Sequence, residues 1–425
     1  MKEVANLNLG DGWAGNTINT VIFRHHGILT IGENQYTAFY VDENTLQVVK
    51  RNLTTNQLEC HAIKGTYNLK DAHNSISMGH DRLGYIHLTY DHHSTSLRYI
   101  RSTTPCSIKE WGDEMAMTGT FEDKVTYPTF ILPRHDFPLT LLYRDGAWNS
   151  GSARLKTYDE ATETWRDHLT PVLSGADEKP WTCNAYWNSP ALGSDGSLHL
   201  SFVWRTHSIG KDQLINNINV SYAMSKDNGL TWQTCRGRPY RLPITPVNAE
   251  VVHPVSPGTN LINQCGMALD SENRSHIVFY SNDESDIPQY QHLRFDGFKW
   301  HHQYISARLA VFNIKGGGTL KIPISRPEIV LDMDDNAYII YRGDLSEDKI
   351  AIVTLKAPLY IYNPEDIQYL NSECLEHAEP VIDRVRWCND NILSLLTQFN
   401  DQPDHDLDHQ HRTYPVKIID LDVRA

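Results

Sequence analysis

One phrase recurs down the chain and narrows the folds open to it more than any other feature. A polar turn, a hydrophobic strand, a polar loop and a further strand appear at Arg82-Leu83-Gly84-Tyr85-Ile86-His87-Leu88 and at Ser194-Asp195-Gly196-Ser197-Leu198-His199-Leu200. The phrase returns at Glu272-Asn273-Arg274-Ser275-His276-Ile277-Val278 and at Asp335-Asn336-Ala337-Tyr338-Ile339-Ile340. Helix-period patterns are scarce, so the pattern reads as all-β. Similar units fall at about 20–64, 72–118, 124–168, 182–240, 256–303, 325–362 and 380–424. Repeated β units of this size need neighbours to bury their faces, which predicts a β-propeller, and the count is seven blades. No stretch reads as a linker, and the Gly316-Gly317-Gly318 run is short enough to be a blade-to-blade loop. Residues 1–425 are therefore expected to form one propeller domain.

A second marker agrees. Ser225-Lys226-Asp227-Asn228-Gly229-Leu230-Thr231-Trp232 fits the Asp-box pattern S-x-D-x-G-x-T-W. Its Asp and Gly suit a tight hairpin turn and its Trp suits packing into the sheet, so its expected role is structural.

Composition removes several function classes. A formal net charge of −14 disfavours nucleic acid as a partner, because phosphate binding needs an excess of Lys and Arg. Seven dispersed cysteines without a CxxC pair do not form a disulfide framework and fit a reducing compartment. No apolar run has the length of a membrane span, and no membrane partner is expected. The polar segment Met1–Thr20 lacks the basic and apolar regions of a secretory signal. The chain as it stands is expected to be cytoplasmic, or else the mature form of an exported protein.

The chemistry concentrates in residues 71–99 and just beyond. Asp71-Ala72-His73-Asn74 and Asp91-His92-His93 flank two alternating strands joined by a tight turn, which places His73 and His93 near neighbouring strand ends. Tyr127 and Arg144 follow, again at strand ends. Two imidazoles, a phenol and a guanidinium on one rim make a candidate proton-transfer site with a fixed cation.

These residues resemble a known family. Gly12-Trp13-Ala14-Gly15-Asn16, Asp71-Ala72-His73-Asn74, Asp91-His92-His93 and Thr126-Tyr127-Pro128-Thr129-Phe130 are similar to motifs of the sialidase-repeat propellers that include ulvan lyases and rhamnose–glucuronate lyases. So are Tyr143-Arg144-Asp145-Gly146, Leu261-Ile262-Asn263-Gln264 and Ser325-Arg326-Pro327, and the similarity runs from about residue 10 to 345. The resemblance implies a seven-bladed lyase that breaks a rhamnose-to-uronate bond by β-elimination, with His73, His93, Tyr127 and Arg144 as working residues. The implied partner is a uronate-containing oligosaccharide or polysaccharide.

Elimination across C4–C5 of a uronate needs a base for the C5 proton, a cation for the carboxylate and an acid for the departing oxygen. Arg144 suits the carboxylate, being always charged and bidentate. His73 is assigned as base, Tyr127 as acid with a pKa lowered by nearby cations, and His93 as the group that orients or polarises them. The roles of His73 and Tyr127 can be exchanged. Asn74, Arg205, Asn263, Gln264, Arg326 and Arg342 are candidate substrate-binding residues, and loops 133–138 and 205–216 are expected to shape the substrate mouth.

His87, His199, His92 and Tyr143 read as structural. No cofactor is required by this chemistry. Metal signals are weak: the segment from Asp404 to His411 lacks a fixed zinc spacing, and His253 with Cys265 is a candidate structural pair. Two other readings stay open. A sialidase-like hydrolase would share the Asp box, but its early Phe-Arg-Ile-Pro phrase is matched here only by Phe23-Arg24-His25-His26. A propeller that binds carbohydrate without chemistry would not require the His-His-Tyr-Arg set.

Overall fold

Each recurring phrase is the turn between the first and second strands of a blade, and an aspartate shapes it. Asp81 Oδ1 accepts from Tyr85 N (2.9 Å), Asp195 Oδ1 from Ser197 N (3.0 Å), Asp270 Oδ1 from Arg274 N (2.8 Å) and Asp332 Oδ1 from Asn336 N (2.8 Å). Aspartate is suited to this because its short side chain satisfies the turn's own amides. The computed structural model describes residues 1–175, 183–206, 214–370, 373–404 and 411–423.

Seven antiparallel sheets form a seven-bladed propeller. In chain order the blades comprise strands within 28–64, 77–101, 125–174, 183–253, 267–304, 328–369 and 381–422. The ring closes differently from the expectation. The N-terminal strand Lys2–Trp13 pairs antiparallel with Thr413–Asp422, from Lys2 opposite Asp422 to Trp13 opposite Thr413. The last blade is thus built from both ends of the chain; the N-terminal strand has only a short alternation, Ala5, Leu7 and Leu9, and its partner lies about 400 residues away. Buried ties reinforce the seam: Arg51 of the first blade meets Asp420 of the last at 2.8 Å, and Asp383 accepts from Thr30 (2.6 Å) and Gln35 (2.8 Å).

The second departure concerns His93. The short strand His93–Thr95 leaves the second blade and pairs with Val125–Ile131 of the third. Thr126 lies opposite His93 on one side and opposite Arg144 on the other, so these three residues form one row across neighbouring strands.

The Asp box folds as its pattern predicts. Asp227 accepts from Thr231 N (2.8 Å) and Oγ1 (2.6 Å), Gly229 takes φ 86°, and Trp232 donates to Gly229 O at 3.0 Å while fully buried. His87 and His199 are buried on Tyr99 (2.7 Å) and Tyr222 (2.6 Å), His92 is buried against Arg98 N, and the buried Tyr143 donates to Phe121 O. All four are buried and hydrogen-bonded within the fold, in keeping with the structural reading.

Candidate active site

Asp71 organises the site. It caps the short 3-10 turn Ala72–Asn74, its Oδ1 accepting from His73 N at 2.9 Å. The same oxygen lies 2.5 Å from His73 Nδ1, and Oδ2 meets His93 Nδ1. The two imidazoles stack, with centroids 4.1 Å apart and planes inclined by 20°. Burial would raise the Asp71 carboxyl, but the His73 and His93 rings outweigh it and hold its pKa well below the usual carboxylate range. An ionised carboxylate only accepts hydrogen bonds, so Asp71 suits an N–H donor at each contacting Nδ1.

Tyr127 reaches this pair through a bulge. Thr126 lies opposite Arg144 and Thr129 opposite Leu142, which leaves one extra residue on the Tyr127 strand. Tyr127 takes φ 54°, a conformation that costs an aromatic residue on the order of 1–3 kcal/mol. Pro128, which has no amide hydrogen for the ladder, follows it. The Tyr127 ring lies 5.7 Å from His73 and packs edge-on against Phe23 (5.1 Å) and Tyr186 (5.9 Å).

The expectation of a lowered Tyr127 pKa is corrected. Burial pushes the phenol up, Tyr186 adds to the rise, and the guanidiniums of Arg144, Arg205 and Arg326 only partly oppose it. Tyr127 is therefore a protonated phenol at neutral pH.

Three arginines surround this centre in different states. Arg144 is buried, lies 5.2 Å over the Tyr127 ring and donates from Nη2 to Thr126 Oγ1 at 3.0 Å. Among the described residues its Nε has no hydrogen-bond partner and no carboxylate lies within 4.0 Å of the guanidinium. Gly151 makes room for it, since a Cβ there would meet Arg144 Cγ and Cδ at 2.6 Å. Arg205 is held by amides, Asn217 Oδ1 at 2.5 Å and Asn263 Oδ1 at 2.9 Å, and lies 5.5 Å over Tyr186. Arg326 forms a buried two-pronged pair with Glu379, at 3.0 and 2.5 Å, while lying 5.2 Å over Phe23.

His73, His93, Tyr127, Arg144, Arg205, Asn263 and Arg326 all line one cavity of about 320 Å³. The other three candidate binding residues do not. Asn74 is buried, donating to Asn68 O while its own carbonyl accepts from Tyr40. Gln264 is buried behind Asn263. Arg342 ends its strand as Arg144 and Arg205 do, but donates into the carbonyls of Pro323 (2.8 Å), Ile322 (3.1 Å) and Ala378 (3.2 Å) and to Asp348 (3.2 Å). Its cation is spent on closing loops.

Loop 133–138 is also corrected. It closes as a tight hairpin through Arg134 and Phe137, at the far end of the strands that carry Tyr127 and Arg144. Pro133 and Arg134 line a second cavity of about 780 Å³, which His73 and His93 do not line. In loop 205–216, residues 207–213 lie outside the described residues.

Sequence reasoning gave no role to Asp71, Phe23, Tyr186, Thr319 or Glu379. Asp71 was legible in principle, two residues before His73 where a cap belongs. Glu379 meets Arg326 across 53 positions and had no local signal. Thr319 Oγ1 lies 3.3 Å from both Asp71 Oδ1 and His73 Nδ1.

Among the described residues Asp71, His73 and His93 are the one group with donor atoms close enough together, within 4.8 Å, to hold a metal ion. In this structure both Asp71 oxygens lie at hydrogen-bond distance from the imidazole Nδ1 atoms. His253 stacks on His302 at 4.4 Å, and Cys265 is buried with Sγ 3.9 Å from Ile262 O. In the segment from Asp404 to His411, residues 405–410 lie outside the described residues.

A sequence model of the BNR repeat-containing family matches residues 34–308. Among curated proteins no sequence matches. Among solved structures, the polysaccharide lyase Uly1 superposes with a TM-score of 0.71 at 15% identity, over 99% of this chain and 100% of that one. An ulvan lyase bound to -[GlcA(1-4)Rha3S]- superposes with a TM-score of 0.69 at 14% identity, over 98% of this chain and 96% of that one.

Proposed function

The chain belongs to the BNR repeat-containing family, and on that footing we propose that it is a polysaccharide or oligosaccharide lyase acting beside a uronate, at a rhamnose–glucuronate type linkage. One observation carries the proposal: Arg144 faces the cavity with no carboxylate partner among the described residues, next to a carboxylate-anchored histidine pair and a protonated tyrosine. A buried guanidinium with spare donors is a site for an anion supplied by the substrate.

In this reading the uronate carboxylate is bound by Arg144, with Arg205 as a second cation on the same wall. His73 Nε2 removes the C5 proton, and the charge that flows into the carboxylate is stabilised by Arg144. The C4–O bond breaks as the C4–C5 double bond forms, and Tyr127 gives its proton to the departing oxygen. The raised pKa of Tyr127 favours the acid role over the base role. His93, tied to the same carboxylate, orients His73. The steps draw on side chains alone.

A hydrolase working through two carboxyl groups fits less well. Among the described residues the one carboxylate that lines this cavity is Glu379, paired with Arg326, and Asp71, in contact with two lining residues, is held by both histidines.

The test is ultraviolet absorbance over time on rhamnose–glucuronate oligosaccharides, with wild type beside His73→Ala and Tyr127→Phe. A rise that both substitutions abolish supports elimination at this site. A saturated reducing sugar without absorbance would overturn it in favour of hydrolysis.

A further inference from the structure

We propose that Asp71 is a positioning residue that fixes the tautomer of both site histidines at once, so that His73 and His93 each present a basic Nε2 to the cavity. The inference rests on the lyase reading for its kinetic consequence, though not for its structural one. A single carboxylate meets both Nδ1 atoms, one on each oxygen. Each ring meets Asp71 through Nδ1, with Thr319 Oγ1 at 3.3 Å from Oδ1, so in the Nε2–H tautomer either ring would turn a lone pair on the carboxylate and lose its charge-assisted bond. Stacking at 4.1 Å then locks the two rings against each other, and Phe23 covers His73 from a further 5.6 Å.

The consequence is specific. A neutral imidazole has one donor and one acceptor nitrogen, and the partner of the first decides the second. Because Asp71 accepts from Nδ1, His73 Nε2 has the lone pair needed for the C5 proton. When that proton arrives, the imidazolium forms against an anion already in contact, and no side chain has to move. The other charged groups of the cavity, Arg144, Arg205 and the Arg326–Glu379 pair, gather around Tyr127 and Phe23.

Asp71→Asn separates this role from a structural one. Asparagine keeps the cap on His73 N, since its carbonyl can accept there as Asp71 Oδ1 does. Its amide can accept from only one imidazole and must donate to the other, which drives that ring to the Nε2–H tautomer. Asp71→Glu keeps the charge, and Asp71→Ala removes both charge and cap.

The experiment combines side-chain nitrogen NMR of histidine-labelled protein, assigned with His73→Gln and His93→Gln, with steady-state kinetics. The wild type is expected to show Nδ1–H at both rings. Asp71→Asn is expected to move at least one ring to Nε2–H, with kcat down roughly 10²–10⁴-fold and KM within about threefold, and Asp71→Glu is expected to recover part of kcat. Unchanged tautomers in Asp71→Asn would overturn the proposal, as would wild-type kcat in that variant. If wild type has no lyase activity, the lyase reading fails alone, and the nitrogen resonances still decide the role of Asp71. Should Asp71→Asn fold poorly, Nε2–H at either ring of the wild type overturns the proposal directly.

Discussion

The Arg144 guanidinium lies 5.2 Å over the Tyr127 ring, and the two residues come from the paired strands Val125–Ile131 and Thr140–Asp145. The bulge at Tyr127 brings the phenol and the cation to one wall of the cavity. A uronate carboxylate seated on Arg144 would therefore place its ring beside the proton donor.

Arg144→Lys is expected to lower kcat/KM by roughly 10²–10³-fold on uronate substrates, because an ammonium cannot reproduce the planar two-pronged contact. The same variant should lose far less on a substrate whose carboxylate has been reduced to an alcohol. Equal losses on both substrates would place Arg144 outside carboxylate recognition.

Tyr127 should contribute no alkaline fall in rate below about pH 10, its ordinary value being 10.0 and burial moving it upward. A phenol with a raised pKa keeps its proton until pH exceeds that higher value, so an acid role is preserved across the neutral and mildly alkaline range. A kcat profile from pH 6 to 10 in wild type and Tyr127→Phe checks this. The variant should lie roughly 10²–10⁴-fold below wild type throughout.

Acid should destabilise the fold through its buried histidines. Burial pushes His292 from 6.5 down to about 3 and His199 down to about 4, and holds His276 well below 6.5. Above about pH 6.5 these rings are neutral whether the chain is folded or unfolded, and stability is at its full value. As pH falls below that point the unfolded chain takes up protons that the folded one refuses, and each such histidine removes up to about 1.4 kcal/mol per pH unit. Denaturant midpoints between pH 7 and pH 4 measure the slope. His292→Gln, which retains a polar partner for His276, should flatten it.

Trp232→Ala should cost roughly 3–5 kcal/mol, since the indole is fully buried and its donor meets Gly229 O. KM should not change, because Trp232 does not line the cavity. Thermal unfolding beside steady-state kinetics tests both halves.

Much of the candidate site was legible because its members interrupt the alternation: His73 in the turn before a strand, His93 at the start of one, Tyr127 at a bulge and Arg144 one residue from a strand end. His73, His93, Tyr127 and Arg144 meet at one cavity. The Tyr127 pKa was misread because the nearby cations are visible in the sequence and burial is not. Phe23 and Tyr186 were missed because aromatic residues in strands read as core, which for both they also are.

Local order is what the sequence by itself determined: the seven blade units, the aspartates that shape their turns and the Asp box, all set by hydrogen bonds over two to four residues. Which strand-end arginine remains open to a ligand was decided only by tertiary structure. Arg144, Arg205 and Arg342 end corresponding strands, but Arg342 is consumed by carbonyls of neighbouring loops, Arg205 is steadied by amides, and Arg144 retains spare donors. A guanidinium has the same charge everywhere in a sequence. Its partners are chosen by the blades that pack around it, and those contacts span distances along the chain that no local pattern encodes.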